Sequence, residues 1–507
     1  MALPDAFSHL LDATAYRHPV GPVRLIETHI SWVLVAGDYA YKIKKPVDFG
    51  FLDFSTPDKR RFCCDEEIRL NRRLAPAIYL DVVAVTATGL GDEGAPIDWA
   101  VRMRAFPADA TLDRDSPIGE ARIDAIADRV AAFHAEIPAA APDSPFGSPA
   151  AVMHPVRENF RQLHEQAMAA DELSLLERLD AWSEAEGRRL SGHFAARKAE
   201  GHVRECHGDL HLGNIAWVAE APLIFDCIEF NANLRFVDVV SEMAFLCMDL
   251  IARGMPSLAW RCLNHYLERT GDYDGLAAYR FYLVYRAMVR AKVAGLRAGQ
   301  GDAEAGRERL RYLELADRLR QPAAPGLLLM HGYSGSGKTW LSQRLLEGMG
   351  AIRLRSDVER KRLFNLAALA DSREHVENIY SAEASRQTFD RLAELSGTLI
   401  ETGYPVIVDA TFLGRRIRRQ FADLAQTRRC PWYLVSPTTD EATLRARIRA
   451  RLARADDASE ADLAVLDSQI AHAEPLAPEE AAHQLAWSEG EPIGRLLDQL
   501  SVRQATG

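Results

Sequence analysis

The sequence predicts two folded domains in series. A two-lobed α+β domain covers about residues 1–320, and an α/β domain with a doubly wound parallel sheet covers about 326–500. Three observations carry this. Gly332-Tyr333-Ser334-Gly335-Ser336-Gly337-Lys338-Thr339 reads G-x-x-x-x-G-K-[ST], between an apolar strand-like run (326–331) and a helical pattern (340–346). Such a loop follows the first strand of its own domain, so a new fold begins near Gly326. The 300 residues before it open β-rich and turn helical after about residue 106. Gln321-Pro322-Ala323-Ala324-Pro325 is a stiff linker between the two.

Composition fits a soluble globular protein of 507 residues, with 48% hydrophobic and 26% charged residues. The formal net charge of −11 argues against a nucleic-acid partner. A start without a basic, apolar leader and the lack of a long apolar run lead us to expect a cytoplasmic protein away from membranes. The seven cysteines form no C-x-x-C pair, which suits reduced thiols.

In the small lobe (about 1–105) a short helix is expected over Asp5–Tyr16. A hairpin follows, Trp32–Val35 and Tyr39–Lys44, turning at Ala36-Gly37-Asp38. Lys42 and Lys44 are two apart on a strand and share a face. A helix from about Lys59 to Leu74 carries Glu66 and Glu67, and a further strand runs to Phe106. In the helical lobe (about 106–320) helices are expected over 123–134, 157–199 and 256–297. Within them lies His207-Gly208-Asp209-Leu210-His211-Leu212-Gly213-Asn214, then an apolar strand ending at Asp226.

This H-x-D-x-x-x-x-N and strand-Asp layout resembles the aminoglycoside phosphotransferase family within the wider protein-kinase-like fold, over about residues 20–300. The resemblance implies Asp209 as catalytic base, His207 as the residue that orients its loop, and Asn214 and Asp226 as Mg²⁺ ligands. It makes Lys42, with Lys44 second, the ATP lysine and Glu67 its helix partner. It also makes Asp238 a brace for the catalytic loop. His211 and Glu229 receive no role.

The second domain is identified by its glycine loop as a P-loop NTPase. Backbone N–H groups of Gly332, Ser334, Gly335, Ser336 and Gly337 would curl around phosphate, Lys338 would reach it, and Thr339 would hold Mg²⁺. A second strand (351–356) ends at Ser356-Asp357-Val358-Glu359-Arg360, and a long helical segment reaches Glu401. Val406-Ile407-Val408-Asp409 delivers a second acidic residue near the metal. The order resembles small-molecule and polynucleotide P-loop kinases, the gluconate-kinase-like and zeta-toxin-like groups, over about 326–480. That resemblance implies Asp357 as the base at the acceptor site, Arg360 as an acceptor-binding residue, and an arginine-rich lid (444–451) with Arg445 and Arg449 on ATP.

The sequence therefore points to a fusion of two ATP- and Mg²⁺-dependent kinase modules, each phosphorylating a hydroxyl of a small molecule. Two alternatives stay open. The P-loop module is an ATPase switch or a nucleic-acid 5′-hydroxyl kinase, or the first module is a regulatory pseudokinase.

Overall fold

The computed structural model describes residues 3–50, 52–91, 94–107, 109–114, 118–368, 370, 379–454 and 458–506. The chain forms two compact units. One comprises Met1–Asp249 with Phe281–Ala316, the other Leu250–Arg280 with Asp317–Gly507. Compactness thus divides the chain differently from the 321–325 linker, because Leu250–Arg280 joins the second unit.

The first unit opens with two 3₁₀ turns, Asp5–Leu11 and Ala13–Ala15, in place of the single helix expected. Asp12 interrupts it. Its backbone is extended and its carboxylate accepts from the Thr14 N–H, a local bond that competes with helix. The strands β1 (Arg24–Glu27), β2 (Ser31–Ala36), β3 (Tyr39–Lys44), β4 (Tyr79–Thr86), β5 (Gly89–Leu90) and β6 (Asp98–Arg104) form one antiparallel sheet in the order β1-β2-β3-β6-β4-β5. Helix α1 (Pro57–Asn71) starts at Thr56, whose hydroxyl caps Lys59 N–H, with Pro57 at the first helical position. It packs Cys64 and Ile68 against Tyr79 and Val101 of the sheet.

Helices α2 (Glu120–Glu136), α3 (Pro149–His164), α4 (Ala170–Arg189) and α5 (Ser191–Ala199) follow. A set of short strands then frames the first site: β7 (Val203–Glu205), the hairpin β8 (Ile215–Val218) and β9 (Ala221–Ile224), and β10 (Phe236–Asp238), which pairs with β7. Helix α6 (Ala232–Arg235) precedes β10. Helices α7 (Val239–Ala252), α8 (Pro256–Thr270), α9 (Leu276–Gly299) and α10 (Ala303–Leu319) complete this stretch of chain.

The second unit is built on five parallel strands: β11 (Leu327–Met330), β12 (Ile352–Arg355), β13 (Val406–Asp409), β14 (Trp432–Thr438) and β15 (Gln484–Ser488), in the order β12-β13-β11-β14-β15. The apolar runs of the central strands β11 and β13 are buried throughout, as strands covered on both faces require. Among the described residues the connecting helices are α11 (Lys338–Met349), α12 (Ser356–Leu363), α13 (Ala382–Glu401), α14 (Arg415–Thr427), α15 (Glu441–Arg454), α16 (Leu463–His472), α17 (Pro478–Ala481) and α18 (Ile493–Thr506). The long helix expected up to Glu401 is α12 and α13; residues 371–378 of that stretch lie outside the described residues. All seven cysteines are buried. Among the described residues no helix is long and apolar enough to cross a membrane.

Two candidate phosphoryl-transfer sites

In the first unit the residues flagged in the sequence converge. Lys42 Nζ lies 2.9 Å from Glu67 Oε1 and 2.5 Å from Asp226 Oδ1. Lys44 Nζ lies 2.7 Å from the other Glu67 oxygen and also contacts Glu229. Glu67 is wholly buried and bridges both ammonium groups. Burial works against its charge, yet the two lysines outweigh it and hold the carboxyl at about 2. For Glu229 burial wins and the carboxyl is raised. Lys42 is therefore the lysine that reaches both the helix glutamate and Asp226, while Lys44 is sealed behind it at 0% exposure.

The loop after β7 carries Asp209. His207 is buried; its Nδ1 accepts from the Asp209 N–H at 3.3 Å and its Nε2 lies 2.8 Å from Phe225 O. Accepting at Nδ1 leaves the ring proton on Nε2, so the imidazole is neutral, in keeping with a pKa that burial lowers. His207 thus ties the Asp209 backbone to the residue before Asp226. Asn214 Nδ2 donates to the Asp209 carbonyl at 3.0 Å and to its carboxylate at 3.1 Å. Burial raises the Asp209 carboxyl, but His211, 3.4 Å from Oδ2, with Arg290 beyond it, holds it below the usual range. It is ionised at neutral pH. Gly208 has φ +88°, and a Cβ there would come within 2.8 Å of Leu234 O, so only glycine fits between His207 and Asp209.

Asp238, expected to brace this loop, instead pairs with Arg197 at 2.7 Å. The braces are Glu242, which accepts from Gly208 N–H at 2.7 Å, Asp249, which accepts from Leu212 N–H at 3.0 Å, and Arg286, which donates to Gly208 O at 3.0 Å. Asp226 adopts φ +64°, a left-handed conformation rare for a non-glycine residue. Its carboxylate is 43% exposed. With the Asn214 amide oxygen it offers two hard oxygen donors, a set that fits a divalent cation.

In the second unit the glycine loop joins β11 to α11. Gly332, Gly335 and Gly337 all have positive φ, and a Cβ on Gly335 would meet Leu444 O at 2.9 Å. Lys338 Nζ donates to Tyr333 O at 2.7 Å, and Ser334 and Ser336 are buried. Burial brings Lys338 down to about 8, against the pull of Asp409 and Asp357. Asp409, at the carboxyl end of β13, accepts from Ser342 Oγ at 3.3 Å. Thr339 and Asp409 line one cavity of about 1880 Å³, together with Asp357, Arg360, Tyr380 and the glycine loop. The hydroxyl and carboxylate are again oxygen donors of the type a divalent cation takes.

Asp357 sits inside the first turn of α12, one residue past its start. The N-cap is Arg355, which makes no side-chain cap bond. Arg360 is buried under Tyr380, 5.1 Å from the ring centroid, and donates to Ile379 O at 3.0 Å. The lid arginines fall differently from expectation. Arg445 pairs with Glu441 and Asp467, and neither Arg445 nor the exposed Arg449 is among the cavity residues. Arg447 and Arg451 are; Arg447 Nη1 lies 3.5 Å from Gly335 O. Gln469 of α16 was unforeseen: it accepts from Ser334 N–H at 2.8 Å and donates to its hydroxyl at 3.0 Å.

The model of the phosphotransferase enzyme family matches residues 63–282, and an AAA domain model matches residues 327–476. Uncharacterized proteins of Mycobacterium tuberculosis and Mycobacterium bovis are 32% identical over 407 residues, spanning 79% of this chain and 81% of theirs. Among solved structures, choline kinase from Cryptosporidium parvum Iowa II is similar over 59% of this chain and 89% of its own, at 12% identity and TM-score 0.40. A gluconokinase from Sinorhizobium meliloti 1021 is similar over 37% and 94%, at 17% identity and TM-score 0.26. The fold is a kinase-like phosphotransferase domain followed by a P-loop kinase-like domain, and the chain is a phosphotransferase that uses ATP, generally with a divalent metal. With a phosphotransferase domain followed by a P-loop AAA domain on its one chain, it belongs to the family of these mycobacterial proteins.

Proposed function

We propose that each unit transfers the γ-phosphoryl group of ATP to a hydroxyl of a small molecule, with Mg²⁺, so that one cytoplasmic chain holds two kinase sites. The convergence of Lys42, Glu67, Asp226, Asn214 and Asp209 carries this reading for the first unit, since a regulatory pseudokinase has no use for an intact base. Lys42 binds phosphate and is oriented by Glu67. Asp209 accepts the proton of the attacking hydroxyl, and Asn214 and His207 fix its carboxylate and backbone. Asn214 and Asp226 would hold Mg²⁺ there, as Thr339 and Asp409 would in the second unit. The ion, when bound, neutralises charge on the transferred phosphoryl.

In the second unit the loop amides and Lys338 cradle phosphate. Asp357 serves as base, Arg360 holds the acceptor, and Arg447 and Arg451 take the lid role that the sequence assigns to Arg445 and Arg449. Asp357 is no N-cap, so its carboxylate in the cavity is left without a capping role.

Incubating the full chain with γ-labelled ATP and a metabolite extract tests this. Two labelled products are expected, one lost in Asp209→Asn and the other in Asp357→Asn, each by roughly 10²–10⁴-fold in rate. Release of inorganic phosphate with no labelled acceptor would favour the ATPase-switch alternative.

A further inference from the structure

Helix α8 lies within the span matched by the phosphotransferase family, yet it belongs to the second compact unit. The reason is visible at the sheet edge. Strand β12 is the terminal strand of the parallel sheet, with backbone groups that need partners. Asn264 of α8 supplies them: its amide donates to Ala351 O at 2.9 Å and accepts from Arg353 N–H at 2.7 Å. Trp260, one turn earlier, lies over Gly350, where a Cβ would come within 2.8 Å of the indole.

The same helix delivers a carboxylate toward the phosphate site. Glu268 accepts from Arg353 at 2.6 Å and lies 3.7 Å from Arg355. These two arginines share a face of β12, and the register sets Arg355 beside Asp409 on β13. Arg355 Nε is 4.0 Å from Asp409 Oδ2. Arg353 Nη1 reaches Ser342 Oγ at 3.3 Å and Thr339 O at 3.4 Å, and that same hydroxyl donates to Asp409. Two guanidinium groups therefore sit around Asp409, in a region where Arg353 and Asp409 are almost wholly buried. A cation approaching Asp409 meets their repulsion unless another carboxylate takes it up.

We propose that Glu268 is a positioning residue for the second site: it draws the Arg353–Arg355 pair away from Asp409 and so keeps that carboxylate available to the divalent cation. This rests on the reading of Asp409 and Thr339 as the metal-holding residues. It makes α8, which the sequence assigns to the first module, a working part of the second.

The test uses the full chain carrying Asp226→Asn, which silences the first metal site. Mn²⁺ binding is followed by electron paramagnetic resonance in the presence of a non-hydrolysable ATP analogue. In this background Glu268→Gln should weaken Mn²⁺ about tenfold, the scale on which partners of metal ligands act. Adding Arg355→Gln should restore most of the affinity, which a helix that only covers the sheet edge would not bring about. Unchanged Mn²⁺ affinity in a folded Glu268→Gln chain overturns the inference, as does failure of the second substitution to rescue. If Asp409→Asn leaves Mn²⁺ binding of the parent intact, the reading of Asp409 itself falls and the inference with it.

Discussion

Replacing Glu67 by Gln keeps the shape of the buried side chain and removes the one charge shared by Lys42 and Lys44. The structure gives the cost in two ways. Two charge-assisted hydrogen bonds are weakened, at about 1.5–3 kcal/mol each, which brackets roughly 3–6 kcal/mol. Independently, a carboxyl at about 2 in the folded chain, against about 4.3 unfolded, corresponds to about 3 kcal/mol at neutral pH. The sign follows from the depression. The contribution is full above the unfolded value of about 4.3 and is lost as pH falls through the folded value of about 2. Hydrogen–deuterium exchange resolved on peptides covering β3 and α1 reads this locally. At pH 7 Glu67→Gln should speed exchange there about 100-fold, the equivalent of nearly 3 kcal/mol, with peptides of the parallel sheet unaffected. A change below about fivefold, or one spread equally over the second unit, would refute the bridging role.

Arg447→Ala and Arg451→Ala should each lower turnover at the second site by about 10²–10³-fold, the usual cost of removing one charge-stabilising donor, while Arg445→Ala and Arg449→Ala leave it near wild type. Steady-state rates with the identified acceptor decide between the two arginine pairs. Gly208→Ala should destabilise the first unit by at least about 1–2 kcal/mol, from the left-handed backbone alone, with a further penalty from the contact with Leu234 O. Urea unfolding of the variant measures it.

Much of both sites was legible because their chemistry sits in short, local patterns. The glycine loop, the run from His207 to Asn214 and the acidic strand ends Asp226 and Asp409 need only spacing to be found. Long-range partners were not: Glu229 meets Lys44 across 185 positions, and no periodicity links them. The lid shows a different failure. Leu444 and Ile448 are buried against Leu463, Leu466 and Tyr333, and they fix the phase of α15. At 100° per residue that stripe brings Arg451 close to the buried side, turns Arg449 to the far side, and leaves Arg445 and Arg447 on opposite flanks, with Arg447 on the flank beside Gly335. The apolar pair was present in the sequence and separates Arg451 from Arg449, but it cannot separate Arg445 from Arg447, whose surroundings differ only through long-range partners. The role of Leu250–Arg280 was hidden for another reason. A helix that covers a sheet edge carries no motif for doing so, and Asn264 and Glu268 read as ordinary polar positions on an amphipathic helix.

The claim that one chain holds two independent nucleotide sites is tested most directly by the stoichiometry of a non-hydrolysable ATP analogue with Mg²⁺ in titration calorimetry. Wild type should bind two per chain, Lys42→Ala and Lys338→Ala one each, and the double variant none. One equivalent in wild type, or loss of both sites in either single variant, would contradict it.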